Sequence, residues 1–202
     1  MSQEQISYPV SITGELTEPP GRGWWLLKWL LALPHYILLA FLGVAFVVVS
    51  IIAFFSILFT AKYPRGLFDF NVGVMRWSWR VGFYSYSALG TDEYPPFSLR
   101  AGDYPADLEV AYPENLSRGL VLVKWWLLAL PQYIVVGIFQ GGGRSGGLVF
   151  VLAIFAAVAV LFTGKYPKDI FNFVVGMNRW SIRVGAYAAL MTDQYPPFRL
   201  DE

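Results

Sequence analysis

The feature that most constrains this chain is a run of 33 residues without a formal charge, from Trp29 to Ala61, with His35 counted as neutral. At 1.5 Å per residue a single helix of that length reaches about 50 Å, whereas the hydrocarbon core of a bilayer is about 30 Å thick. Tilting within the usual range of about 0–40° does not absorb the difference. The run therefore predicts a transmembrane helical hairpin over residues 24–61, with its turn near Gly43.

Composition supports a membrane protein. Of the 202 residues, 56% are hydrophobic and 18% aromatic, which is more apolar material than one soluble core of this size uses. The formal net charge is +1, so no global basic field points to nucleic acid as a partner. The chain has no cysteine, which excludes disulfides, thiolate metal sites and cysteine nucleophiles. Membrane lipids are the partners that this composition predicts.

The chain is a tandem duplication. When residues 62–83 are aligned with residues 165–186, 13 of the 22 pairs are identical. The second copy has its own apolar run, which predicts a hairpin over residues 120–164 with a glycine-rich turn at 140–147. We therefore expect repeat 1 to cover residues 1–99 and repeat 2 to cover residues 100–202.

A third helix follows each apolar run, over residues 66–89 and 169–190. On a helical wheel its polar residues form one stripe, which consists of Asp69, Arg76, Arg80 and Ser87 in repeat 1 and of Asn172, Arg179 and Arg183 in repeat 2. An arginine at the bilayer centre costs about 2.5–3.5 kcal/mol even on the lenient insertion scale. The stripe therefore favours an amphipathic helix that lies in the membrane interface.

Topology follows from the positions of lysine and arginine around the two apolar runs. If each repeat crosses twice, these charges lie on one face, as the positive-inside rule prefers. The resulting expectation is four crossings with both termini cytoplasmic, although six crossings, or hairpins that dip into the bilayer and return, remain open. The predicted fold class is an all-α integral membrane protein with short cytoplasmic β-strand arms, at residues 8–13, 94–99, 108–112 and 195–200.

The candidate binding residues are basic and occur in both repeats. They are Lys62, Arg76 and Arg80 in repeat 1, with Lys165, Arg179 and Arg183 in repeat 2. Guanidinium groups fit lipid phosphates or an acidic partner. The simpler interpretation is that the arginines set helix depth or pair with Asp69, Asp92 and Asp193.

The sequence predicts no catalytic, cofactor or metal site. His35 is the only histidine and becomes Gln132 in repeat 2, so a structural role is expected. The dense aromatic residues are typical of interface belts. A quinone, haem or pigment pocket is the alternative, but no pair of ligating histidines supports it.

Several motifs resemble one known family. They are Leu-Ala-Leu-Pro-His-Tyr, Lys-Tyr-Pro-Arg-Gly-Leu-Phe-Asp-Phe, Arg-Trp-Ser-Trp-Arg and Thr-Asp-Glu-Tyr-Pro-Pro-Phe, and each has a counterpart in repeat 2. The pattern is similar to domain of unknown function 4389, and the similarity covers nearly the whole chain, twice. The resemblance implies a multi-pass protein of the bacterial cell membrane and implies no activity.

Two functions remain open from the sequence. The leading hypothesis is a non-catalytic accessory or scaffolding subunit of a larger membrane complex, because packing and interface features are abundant. The alternative is binding or transport of a lipid or small solute in a cavity between the repeats, with Arg76 and Arg179 at its mouth.

Overall fold

The protein is described from a computed structural model, which covers residues 8–18, 20–141 and 146–201. Within these residues the fold is mostly helical, as predicted, with seven α-helices and two short strands. In chain order the elements are β1 (Val10–Gly14), α1 (Trp25–Leu31), α2 (Leu33–Thr60), α3 (Arg65–Tyr84), β2 (Ala106–Val110), α4 (Leu120–Val123), a π-helical segment (Lys124–Leu128), α5 (Leu130–Gln140), α6 (Leu148–Thr163) and α7 (Lys168–Ala188).

Repeat 1 contains one long apolar helix where a hairpin was predicted. α2 runs without interruption through Gly43 and ends where Ala61 adopts a left-handed conformation with φ of 59°. The predicted turn near Gly43 is therefore wrong. A single glycine costs a helix interior only about 1 kcal/mol relative to alanine, and no polar insertion accompanies it. Pro34 lies in the first turn of α2, where its missing N–H is tolerated.

Repeat 2 places α5 and α6 where repeat 1 has α2. Both helices pack against α7, as α2 packs against α3. The ring pair of Tyr166 and Phe171 repeats that of Tyr63 and Phe68, with 5.4 Å between centroids and 84° between planes in each. The glycine-rich insertion thus divides the equivalent of one long helix, in place of the predicted antiparallel arms. Its residues 142–145 lie outside the described part of the chain.

A one-residue insertion accounts for the π-helical segment. Five residues lie between Lys28 and Pro34, whereas six lie between Lys124 and Pro131. A π-turn absorbs one extra residue without changing which side chains face inward. Lys124 accordingly stays fully buried, as Lys28 does in repeat 1.

The two strands pair as an antiparallel sheet, with a register from Val10↔Val110 to Gly14↔Ala106. Side chains alternate across it, so Ile12 and Leu108 are buried. The strands predicted at residues 8–13 and 108–112 overlap with β1 and β2. Residues 94–99 and 195–200 form no strand, because their Pro-Pro steps lack the N–H groups that a ladder needs.

The repeats exchange their strands. β1 of repeat 1 packs on α7 of repeat 2, and β2 of repeat 2 packs on α3 of repeat 1. The hydroxyl of Tyr8 donates to the carbonyl oxygen of Gln194 at 3.2 Å, and Tyr104 donates likewise to Glu93 at 3.1 Å. α3 and α7 therefore lie between the sheet on one side and the long apolar helices on the other.

The apolar helices form an exposed layer. α2 is long and apolar enough to cross a membrane, with a mean hydropathy of 3.0 over an 18-residue window of which 6% is buried. The segments Leu120–Leu128 and Leu130–Gln140 meet the same criterion only when taken together, and they meet at 43°. α6 is apolar but shorter. Aromatic side chains on the outer face, such as Phe41 and Phe59, are more than two-thirds exposed.

Candidate functional site

Arg76 and Arg80 of α3 bind the edge of the sheet. Arg76 Nε lies 2.8 Å from a carboxylate oxygen of Asp107 and donates to the Leu108 carbonyl at 2.9 Å. Arg80, which is fully buried, contacts the same carboxylate at 3.1 Å and donates to the carbonyl oxygens of Ala106 and Arg100. Carbonyls on the edge of a sheet otherwise lack partners. The stripe therefore satisfies backbone groups that the strand exchange leaves open.

The arginines of α7 occupy equivalent places against β1. Arg179 donates to the carbonyl oxygens of Ile12 at 3.3 Å and Leu200 at 3.1 Å, and Arg183 donates to that of Asp201 at 2.9 Å. Burial lowers the pKa of the Arg183 guanidinium, with smaller contributions from neighbouring arginines. Its Nε has no hydrogen-bond partner among the described residues.

The predicted binding residues thus separate into two groups. The four arginines face the sheet and hold backbone or carboxylate oxygens. Lys62 and Lys165 are exposed and lie immediately after α2 and α6.

The expected acidic partners of the arginines lie elsewhere. Asp69 contacts Arg65, Asp92 contacts Lys28, and Asp193 contacts Lys124. Asp107, the residue that pairs with Arg76 and Arg80, was not singled out from the sequence.

Two buried lysines form a repeated site that the sequence did not reveal. Lys28 Nζ lies 2.8 Å from Asp92 and donates to the carbonyl of Thr91 at 2.6 Å. Lys124 makes the same two contacts with Asp193 and Thr192, at 2.6 and 3.0 Å. Both lysines are fully buried. Burial lowers the pKa of Lys28, and its hydrogen bond to Asp92 opposes that shift.

This site also explains the Thr-Asp motif of each repeat. Asp92 accepts a hydrogen bond from the backbone N–H of Gly21 at 2.5 Å, and Asp193 accepts one from Ser117 at 2.6 Å. Each aspartate therefore joins the beginning of its own repeat's apolar segment to the arm that ends the repeat. The signal was the recurrence of one lysine and one Thr-Asp pair in both copies.

His35 and Gln132 have the same structural role in the two repeats. His35 Nδ1 accepts a hydrogen bond from the indole N–H of Trp77 at 3.0 Å, and Gln132 Oε1 accepts one from Trp180 at 2.6 Å. The imidazole also stacks on Phe97, with 4.0 Å between ring centroids. No group of three or more potential metal ligands occurs in the described ranges.

A central cavity of about 520 Å³ lies between the repeats. Its walls come from equivalent positions of the two copies, and they include Leu39 with Val136, Gly43 with Gln140, Met75 with Asn178 and Ser78 with Ser181. None of its lining residues is charged, so the four arginines do not line it.

A second cleft, of about 720 Å³, lies on the sheet side of α3. Arg65, Asp69, Arg100 and Glu109 line it and give it mixed charge. The corresponding residues for Arg65 and Arg100 in repeat 2 are Lys168 and Asp201, so the two ends of the sheet carry different charge patterns.

Comparison with known proteins gives a family and no activity. The family described as "Domain of unknown function (DUF4389)" matches the chain twice, at residues 23–98 and 121–199. Both matches leave out β1 and β2, the exchanged strands. No curated protein and no solved structure matches the chain. Because the two matched regions cover most of the chain, the protein belongs to the DUF4389 family and carries two copies of its domain.

Proposed function

We propose that the protein is a non-catalytic membrane protein that acts as an accessory or scaffolding subunit of a larger membrane complex. The observation that carries the proposal is the exposed apolar layer of α2, α5 and α6, which lies opposite the polar sheet. An apolar surface of this extent is a site for membrane or protein contact. The bacterial cell membrane is the location that the family resemblance implies.

The order of the layers, with the apolar helices on one side of α3 and α7 and the sheet on the other, favours insertion of the protein from one side of the bilayer. If α2 crossed the membrane, α3, which packs along it, would carry Arg76, Arg80 and the sheet edge towards the bilayer centre. Open sheet edges do not occur in hydrocarbon, and each central arginine costs about 2.5–3.5 kcal/mol or more. A helix about 10–12 Å across fits one leaflet of a hydrocarbon core about 30 Å thick. α3 and α7 then lie at the interface, with the sheet and both termini in the cytoplasm.

Cysteine labelling separates this placement from the multi-pass alternative. The chain has no native cysteine, so Trp24→Cys and Lys62→Cys each introduce one thiol, at opposite ends of the apolar run. With α2 in one leaflet, an impermeant maleimide labels both positions from the same face. If α2 crosses the membrane, the two positions label from opposite faces. That outcome contradicts the one-sided placement.

The scaffolding role predicts a protein partner that docks on the polar side. The mixed-charge cleft offers two guanidinium groups, Arg65 and Arg100, beside the carboxylates of Asp69 and Glu109. Such a surface favours a partner with complementary charges and contributes more to specificity than to affinity.

Affinity purification in mild detergent tests the role. A stoichiometric partner is expected with the wild-type chain, and less of it with the double variant Arg65→Ala and Arg100→Ala. Lys168→Ala, at the position in repeat 2 that corresponds to Arg65, is the matched control and keeps the partner. Recovery of a clean monomer from wild-type membranes contradicts the scaffolding role.

A further inference from the structure

We propose that the central cavity binds the carbonyl segment of an uncharged lipid, which enters from the bilayer between α2 and α5. This inference rests on the proposed membrane placement and adds a ligand to it. It assigns a role to polar side chains that lie within an otherwise apolar part of the molecule.

The polar residues of the cavity are neutral. Gln140 Nε2 donates to Asn178 Oδ1 at 3.2 Å and to Ser181 Oγ at 3.1 Å, while the Asn178 amide donates to the Ser87 carbonyl at 2.8 Å. Gln140 Oε1 and the Ser78 hydroxyl make no hydrogen bond to another described residue. The Ser87 hydroxyl likewise makes none, so the cavity presents one free amide oxygen and two free hydroxyls.

This chemistry selects an uncharged ligand. A charged headgroup in the cavity gives up its hydration without a counterion on any lining residue, and burying an unpaired charge is costly. An ester or ketone carbonyl can accept from the Ser78 hydroxyl, and a ligand hydroxyl can donate to Gln140. Diacylglycerols and isoprenoid quinones share the carbonyl and the long apolar tail.

The asymmetry of the repeats gives the ligand one orientation. The positions equivalent to Gln140 and Asn178 are Gly43 and Met75, so only the repeat 2 wall supplies amides. The polar end of the ligand lies between Ser78 of α3 and the amides of α5 and α7, and its tail lies against α2.

An apolar groove of about 510 Å³ continues from the central cavity along α2. It shares Phe46 and Gly185 with the central cavity and is otherwise lined mostly by apolar side chains, among them Ile51, Phe54 and Trp125. Ligand sites of this kind are mostly apolar with a few placed polar groups. The groove provides a path for the acyl or isoprenoid chain.

Photo-crosslinking of the full chain in lipid nanodiscs tests the inference. The probe is a diacylglycerol with a diazirine in its acyl chain, and mass spectrometry locates the adducts. Adducts are expected on peptides that line the cavity and groove. Excess unlabelled diacylglycerol or excess quinone removes them, and the more effective competitor identifies the source of the carbonyl.

Two glycine variants separate ligand binding from folding. A Cβ at either Gly43 or Gly137 meets no atom within 4 Å, so a side chain begins in open space at both positions. Gly43 lines the cavity and Gly137 lines neither the cavity nor the groove. Gly43→Leu is expected to abolish the adducts, and Gly137→Leu to retain them.

Three results overturn the inference: adducts that survive in Gly43→Leu, adducts that phosphatidylglycerol removes as well as diacylglycerol does, and no adducts in the cavity of a protein that stays in the membrane. Failure of the membrane proposal is distinguishable, because the wild-type chain then does not enter nanodiscs.

Discussion

The single histidine provides the most direct test of how the two repeats correspond. His35 is fully buried and accepts the indole N–H of Trp77, as Gln132 accepts that of Trp180. Gln132 also donates to the carbonyl oxygen of Pro196 at 2.9 Å, whereas His35 Nε2 has no partner among the described residues. The duplication therefore contains its own replacement for the histidine.

The magnitudes follow from these contacts. His35→Leu leaves a buried indole N–H without an acceptor, which costs about 1–3 kcal/mol, and loses the ring contact with Phe97, which is worth about 0.5–1.5 kcal/mol. His35→Gln loses the same ring contact but keeps the acceptor. It can also gain a donor to the carbonyl of Pro95, which corresponds to Pro196, and a net hydrogen bond is worth about 0.5–1.5 kcal/mol. We expect the free energy of unfolding to fall by roughly 2–4 kcal/mol in His35→Leu and by less than about 1 kcal/mol in His35→Gln.

Thermal unfolding in detergent, followed by tryptophan fluorescence, measures both variants. Gln132→His is the reciprocal control and is expected to cost little, because it reproduces the repeat 1 arrangement. If His35→Gln destabilises the protein as much as His35→Leu, the imidazole has a role that the amide cannot supply. The structural equivalence of the two residues is then refuted.

Three further predictions concern other contacts. Lys28→Met removes the cation that pairs with Asp92, and we expect the free energy of unfolding to fall by about 1–3 kcal/mol in the same thermal assay. The loss is smaller than the roughly 3–5 kcal/mol of a fully buried pair because Asp92 is partly exposed. Burial raises the pKa of Tyr63 from 10.0 to about 12, so the contribution of its neutral hydroxyl to folding stability is complete below pH 10 and is lost as the pH rises to 12. Tyr63→Phe should therefore reduce alkaline unfolding over that interval. Oxidation of Ser11→Cys with Glu109→Cys should form an intramolecular disulfide, because these residues face each other across the sheet. A failure to cross-link, seen by peptide mass spectrometry, contradicts the pairing of β1 with β2.

The sequence predicted the parts of the fold that depend on local pattern. The apolar runs, the third helix of each repeat and the two strands follow from hydrophobic periodicity and turn residues, and the structure has them close to the expected positions. The duplication followed from residue identities alone, and the family match confirms it.

The hairpin of repeat 1 was predicted wrongly for a physical reason. Its length argument treated the 33 uncharged residues from Trp29 to Ala61 as one helix of about 50 Å. In the structure α1 ends at Leu31 and α2 begins at Leu33, so the single helix has 28 residues and is about 42 Å long. The glycine-rich insertion of repeat 2 was then transferred to Gly43, where no insertion exists.

By itself, the sequence determined that this protein is a duplicated, strongly apolar chain with an arginine stripe on the third helix of each repeat. Composition, repetition and helical spacing are properties of residues near one another in the chain. Only the tertiary structure decided what those residues contact. Arg76 meets Asp107 through the exchange of strands between repeats, and Lys28 meets Asp92 across 64 positions of sequence. Such partners depend on how distant segments pack, and no local pattern encodes that choice.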